Sequence, residues 1–205
     1  MQDDTTTAAE AMRQRWLEAA ALRLAQGGIE AVKIMPLAKA LGQTRTGFYW
    51  YFKDRAALLE AVLEQWELRT TVPLMTRAQA DAGSVCDAVF NVMDCWVQPD
   101  LFDARLDHAV RCWALLDSMP HARLEISDKL RQGAMAGIFD RFGYGEAESE
   151  TRATMLLLSL AGHATAPRAL RRAKAVVPLA EVICGMKPTP SEIRRFLLRH
   201  TPETA

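Results

Sequence analysis

The sequence predicts an all-α protein, and three observations carry that expectation. Apolar residues recur at every third or fourth position along most of the chain. No stretch of alternating β-branched residues signals a strand. Breaks fall at helix-length intervals, at Pro99, Pro120, the GYG of residues 143–145, Pro167 and the KPTP of residues 187–190. With 205 residues, 50% of them hydrophobic and 24% charged, the chain can bury a substantial core and has an ordinary globular composition.

The first helix is expected over residues 8–26. Met12, Trp16, Ala20 and Leu24 form its apolar stripe, while Arg13, Arg15, Glu18 and Arg23 fall elsewhere. Gly27 and Gly28 supply its stop. A short helix follows from Ile34 to Leu41, with Pro36 tolerated because first-turn N–H groups lack internal partners. Gly42 can take the left-handed conformation that turns the chain, and Thr44 offers a hydroxyl to cap a second short helix. Two short helices across a glycine turn outline a helix-turn-helix.

After this outline, Ala57, Leu58, Ala61, Val62, Gln65 and Trp66 mark a longer linking helix, for which Pro73 predicts a kink or an end. The remainder reads as helices at about 84–97, 102–117, 121–142, 146–164, 168–185 and 190–200. The expected division is a helix-turn-helix domain over 8–55 and a larger helical domain over 56–205.

The helix-turn-helix contains an aromatic block: every position from Phe48 to Phe52 is aromatic. At about 100° per residue a helix spreads such a block over all faces, so part of it must meet solvent or a partner. Phe48 and Phe52, four apart, share a face and are assigned to the core. The charge distribution points the same way. The chain has a formal net charge of zero, yet residues 28–55 carry Lys33, Lys39, Arg45, Lys53 and Arg55 against Glu30 and Asp54, five basic to two acidic for a local +3.

Other classes find little support. Cys86, Cys95, Cys112 and Cys184 are widely spaced with no C-x-x-C pair, so reduced, partly buried thiols are expected and neither a disulfide framework, a metal site nor a cofactor is. The acidic, polar start MQDDTTTAAE is unlike a secretory signal, and the longest apolar run, MLLLSLAG from Met155, is too short to span a bilayer. A cytoplasmic protein without a membrane partner is the expectation. An all-α enzyme using His108, Cys112 or His163 lacks any nucleophile, base and orienting group at recognisable spacing.

Together, RQRWLEAAALRLAQGG, PLAKALGQTRTGFYWYF and KDRAALLEAV, in this order and spacing, resemble the TetR family of bacterial transcriptional regulators. The resemblance covers about the first third of the chain. It implies three N-terminal helices that bind an operator in double-stranded DNA, a linking helix, and a helical domain that binds a small-molecule effector and forms a homodimer. The implied function is a ligand-responsive, dimeric repressor. A helical interaction module that keeps the head without DNA binding is the alternative.

In a helix capped by Thr44, Arg45 and Thr46 occupy the first turn, which reaches base edges in the major groove, and Gly47 permits close backbone approach. Tyr49 matches the family tyrosine that contacts a phosphate, and Lys53, Arg55 and Trp50 flank it. Two positions depart from the family pattern. Lys33 stands where a Ser or Thr cap is common, giving charge for a phosphate but no cap, and Gln43 replaces an apolar turn residue. Candidates for an apolar effector pocket are Trp96, His108, Arg111, Trp113, Met119, Phe139 and His163. Met155, Leu158, Ala161 and Gly162 fit the implied dimer contact.

Overall fold

The computed structural model describes residues 2–167, 169 and 172–200. Among these the regular structure consists of ten α-helices, with no strand. The chain divides into two compact units: Met1–Glu67 with Arg105–Leu124, and Leu68–Ala104 with Glu125–Ala205. The expected boundary at 55/56 is therefore redrawn, and the packing of the first unit explains why.

That unit opens with α1 (Gln2–Gly27), which buries Trp16, Leu17, Ala20, Ala21 and Leu24. Gly28, at φ 70°, ends it, and a 3₁₀ turn over Ile29–Ala31 follows. Then come α2 (Ile34–Ala40), α3 (Arg45–Phe48) and the first part of α4 (Arg55–Gln79). Leu58, Val62 and Trp66 of α4 join Trp16, Leu37 and Phe48 in one apolar cluster.

Four residues of α6 (Ala104–Ala114), namely Leu106, Ala109, Val110 and Trp113, complete the same cluster. Trp66 Nε1 donates to Asp107 Oδ1 at 2.9 Å inside it, and Arg111 Nε donates to Asp107 Oδ2 at 2.8 Å. Helical periodicity shows that α6 buries a face but not which neighbours receive it. It also ends three residues before the expected limit of 117.

The second unit takes the rest of α4. The helix continues through Pro73 to Gln79, so the expected break does not occur. Proline removes one N–H from the ladder, but burial of Leu74 and Ala78 and hydrogen bonds to Thr70 and Thr71 hold the turns on either side. The remaining helices are α5 (Val85–Val97), α7 (Ser118–Arg141), which belongs to this unit from Glu125 onward, α8 (Glu146–His163), α9 (Ala173–Cys184) and α10 (Pro190–Leu198). Residue 168, the expected start of α9, lies outside the described residues.

Helices α5, α9 and α10 pack on one another. Phe90 of α5 stacks on Phe196 of α10 with ring centroids 4.6 Å apart. A Thr189–Glu192 capping box starts α10. Polar groups are buried here too. Arg131 is fully enclosed, its guanidinium donating to Thr71 Oγ1 at 3.0 Å and Thr70 Oγ1 at 2.7 Å, with Asp128 at 3.2 Å and the Phe102 ring beneath it at 5.8 Å.

Asp94 is also fully buried. Its Oδ1 accepts from Arg199 Nε at 3.2 Å and His200 Nε2 at 2.8 Å, and its Oδ2 lies 3.4 Å from Arg77 Nη1 without hydrogen-bond alignment. Removing one partner of a buried ionic cluster leaves uncompensated charge. Asp94→Ala is expected to destabilise the fold by about 3–5 kcal/mol in urea unfolding. Asp87→Ala, which removes a pair with the exposed Arg195, is expected to cost less.

Candidate nucleic-acid interface

The local chemistry of residues 28–55 builds a rigid turn with an exposed edge. At the end of α2, Gly42 has φ 66° and donates to Lys39 O at 3.3 Å, while Gln43 N donates to Ala38 O at 2.8 Å. This pair of bonds closes a Schellman turn in which Gln43 supplies the second backbone donor. Thr44, with an extended backbone, accepts from Gly47 N at 3.0 Å and caps α3 as its sequence position predicts. A Cβ on Gly47 would meet the Thr44 hydroxyl at 3.3 Å, so glycine lets the cap sit close.

Beneath the turn lies Phe48, fully buried and packed edge-on to Trp16 at 5.3 Å and stacked on Phe52 at 5.7 Å. The two phenylalanines are core residues, as their spacing predicts. Tyr51 is half-buried against the same cluster. Tyr49 and Trp50 face out, Trp50 being 84% exposed. A large flat indole so exposed has no packing role in the unit.

Lys33, Thr44, Arg45, Thr46 and Lys53 are also exposed. Lys33 precedes α2 in extended conformation and makes no side-chain cap, consistent with a residue that has no acceptor. Arg55 departs from the expectation of a free cationic contact. Its Nε donates to Val32 O and its Nη2 to Ile29 O, both at 2.7 Å, so the guanidinium ties the start of α4 to the segment before α2. Asp54, not singled out in the sequence, caps α4 by accepting from Ala57 N at 2.8 Å.

The seven effector candidates divide between the units. In the first, His108 lies 3.6 Å from the Cys112 sulfur, Arg111 pairs with Asp107, and Trp113 is buried with Nε1 donating to Asp117 at 3.2 Å. Met119 is 38% exposed. In the second, Trp96 and His163 come together: the rings stack at 5.8 Å and His163 Nε2 donates to Trp96 O at 2.7 Å. Phe139 is fully enclosed, edge-on to Tyr144. A surface groove of about 490 Å³ in the second unit is lined by Met75, Gln79, Ile126, Lys129, Leu130, Gly133 and Ala134, none of them among the seven.

On α8, Met155, Leu158 and Gly162 form an exposed stripe, and Ala161 is half-buried beside it. Cys86, Cys95 and Cys184 are buried free thiols, and Cys112 is an exposed one. Burial pushes the Cys95 thiol up to about 12. Among the described residues no group of three or more His, Cys, Asp or Glu side chains is placed to hold a metal ion, and no helix is long and apolar enough to cross a membrane.

A glycine-turned helix pair with a capped second helix and an exposed basic and aromatic edge, on an all-helical chain, defines the helix-turn-helix class. Residues 17–62 match the family model of the bacterial regulatory proteins of the tetR family. The similarity to that family rests on this N-terminal segment.

The HTH-type transcriptional regulator AcrR of Shigella flexneri is 36% identical over 64 residues. That match covers 31% of this chain and 28% of the length of the relative. A crystal structure of a transcriptional regulator from Rhodococcus sp. Rha1 shares the fold with a TM-score of 0.66 at 19% identity, over 84% of this chain and 94% of that one. A second Rhodococcus sp. structure, described as a TetR-family transcriptional regulator, gives 0.60 at 17% identity, over 84% of this chain and 97% of that one.

The two basic residues at the start of α4 are expected to separate in a stability assay. Arg55→Ala removes two charge-assisted bonds to backbone carbonyls and is expected to cost about 2–3 kcal/mol in chemical unfolding followed by tryptophan fluorescence. Lys53→Ala, at an exposed position, should leave the unfolding midpoint unchanged.

Proposed function

We propose that the protein is a dimeric, DNA-binding transcriptional repressor whose grip on a palindromic operator is released by a small molecule. The observation that carries the reading is the edge formed by Arg45, Thr46, Tyr49 and Trp50. All four are exposed on a capped turn whose underside, Phe48, is fully buried. Fixed backbone and outward polar and aromatic groups are what groove recognition needs. The family match over residues 17–62 supports the same reading.

In this reading Arg45 reads guanine O6 and N7 in the major groove, and Thr46 meets a neighbouring base or a thymine methyl. Tyr49, Lys53 and Lys33 bind phosphates, with Trp50 against the backbone. Arg55 acts through its hold on Ile29 and Val32 and not by direct contact. Gly47 and Thr44 keep the turn close to the duplex.

The effector reading centres on Trp96 and His163. Trp96 Nε1 is buried with no hydrogen-bond partner among the described residues, and an effector with an acceptor atom would satisfy it. Such a ligand shifts the protein between states only by its differential affinity for them, and the released state is the one whose heads are wrongly spaced for the operator. The exposed α8 stripe of Met155, Leu158 and Gly162 is the proposed dimer contact.

Two measurements test these assignments. A duplex selected from a random pool should bind with a steep salt dependence; Lys53→Ala should reduce the salt slope by about 1, whereas Arg45→Ala should cost about 1–3 kcal/mol at one base position. Binding without sequence preference or salt dependence would sink the reading. Leu158→Arg with Met155→Glu should convert the dimer to a folded monomer in sedimentation velocity, and an unchanged sedimentation coefficient would place the interface elsewhere.

A further inference from the structure

Helix α6 carries two metal-ligating side chains that the function proposed above does not use. His108 and Cys112 are four residues apart and so share a face of the helix. His108 Nε2 and Cys112 Sγ lie 3.6 Å apart, with His108 half-buried and Cys112 exposed, whereas the other three cysteines are buried.

The backbone that carries the pair is held in place. Leu106, Ala109, Val110 and Trp113 of the same helix are buried in the apolar cluster of the first unit, and Asp107 accepts from Trp66 and Arg111. The helix cannot turn about its axis without exposing that face. The pair therefore keeps its place at the surface.

Its spacing is that of two ligands on one tetrahedral ion. Bonds of about 2.0–2.1 Å to nitrogen and about 2.3 Å to sulfur, opened by a tetrahedral angle of about 109°, set the two ligand atoms roughly 3.6 Å apart. Two ligands are half a set. Structural zinc sites are closed by four protein ligands, and among the described residues no third or fourth His, Cys, Asp or Glu of this chain is placed to join the pair.

We propose that His108 and Cys112 from two copies of the chain, related by a two-fold axis, together bind one cation of the Zn(II) type. A two-fold contact brings the same surface of each copy to the axis, so one pair becomes a full set of two sulfurs and two nitrogens. Such a set in tetrahedral geometry selects zinc over harder divalent ions. Leu115 and Leu116, 84% and 80% exposed, follow directly after the end of α6, so the same contact covers apolar surface that the single chain leaves in water.

Binding is a proton exchange without redox change. The cation forms two bonds to sulfur and two to Nε2, each neutral imidazole keeps its Nδ1–H, and each thiol releases its proton to water. Two thiolates balance the divalent charge, so the closed site is neutral and sits between protein surfaces without an uncompensated ion. Two protons leave per cation, hence affinity falls as pH falls. The site belongs to the first unit and depends neither on DNA binding nor on the α8 contact.

The test uses the full chain, kept reduced, with Co(II) as a spectroscopic probe. Titration should give the visible bands of a tetrahedral ion with thiolate charge transfer, saturating at one ion per two chains, and Zn(II) should bleach them. His108→Gln and Cys112→Ser each remove two of the four ligands. Each should lower the affinity by more than the roughly 100-fold known for losing an outer-shell partner, with helical circular dichroism unchanged. Octahedral bands, saturation at one ion per chain, or equal binding by either variant overturns the site.

The unaltered chain gives a second measurement. Zn(II) should slow alkylation of Cys112 in the folded protein, a chelator should restore the rate, and native mass spectrometry should find the ion on a species of two chains. Unchanged alkylation, or an ion carried by a single chain, overturns the proposal.

Discussion

The geometry of the N-terminal unit depends on one side chain, Arg55. Its two hydrogen bonds reach back across more than twenty residues to the carbonyls of Ile29 and Val32, on the segment that leads into α2. The orientation of α2 relative to α4 is thereby coupled to a guanidinium fork, whose planar donors fix two acceptors at once. Phe48 does the complementary work from the interior, pinning α3 onto Trp16 and Phe52. A four-residue helix has too few internal bonds to persist alone, so its stability is borrowed from this packing and from the Thr44 cap.

The second unit uses buried charge where the first uses aromatics. Asp94 gathers Arg77, Arg199 and His200, and Arg131 gathers Thr70, Thr71 and Asp128. Such clusters add little net stability over an apolar core, but they penalise any register that leaves a charge unmatched. Asp94 joins α5 to residues at the end of α10 and so fixes where the C-terminal helix docks.

Much of this was legible in the sequence where the controlling physics is local. Gly42, Thr44 and the i, i+4 pair of Phe48 and Phe52 act within a few residues, and each behaves as its spacing predicts. Pro73 misled because its local cost was overridden by distant packing and by Arg131 on α7. The domain boundary misled for the same reason: nothing in an amphipathic pattern records that Asp107 accepts from Trp66. Arg55 reads as a surface cation because its acceptors are backbone carbonyls, and these carry no sequence signature.

The brevity of α3 sets a limit on information. A head whose base contacts come from Arg45 and Thr46 alone distinguishes bases by about 1–3 kcal/mol per good contact, hence roughly 2–6 kcal/mol in all. Selecting one site among a genome's competing sequences calls for about 4–10 kcal/mol. Two such contacts reach only the lower part of that range at best. Under the DNA-binding reading, the missing discrimination has to come from a second copy or from the shape of the duplex between contacts. In that reading the economy of the four-residue helix makes recognition a collective property and not one of the single chain.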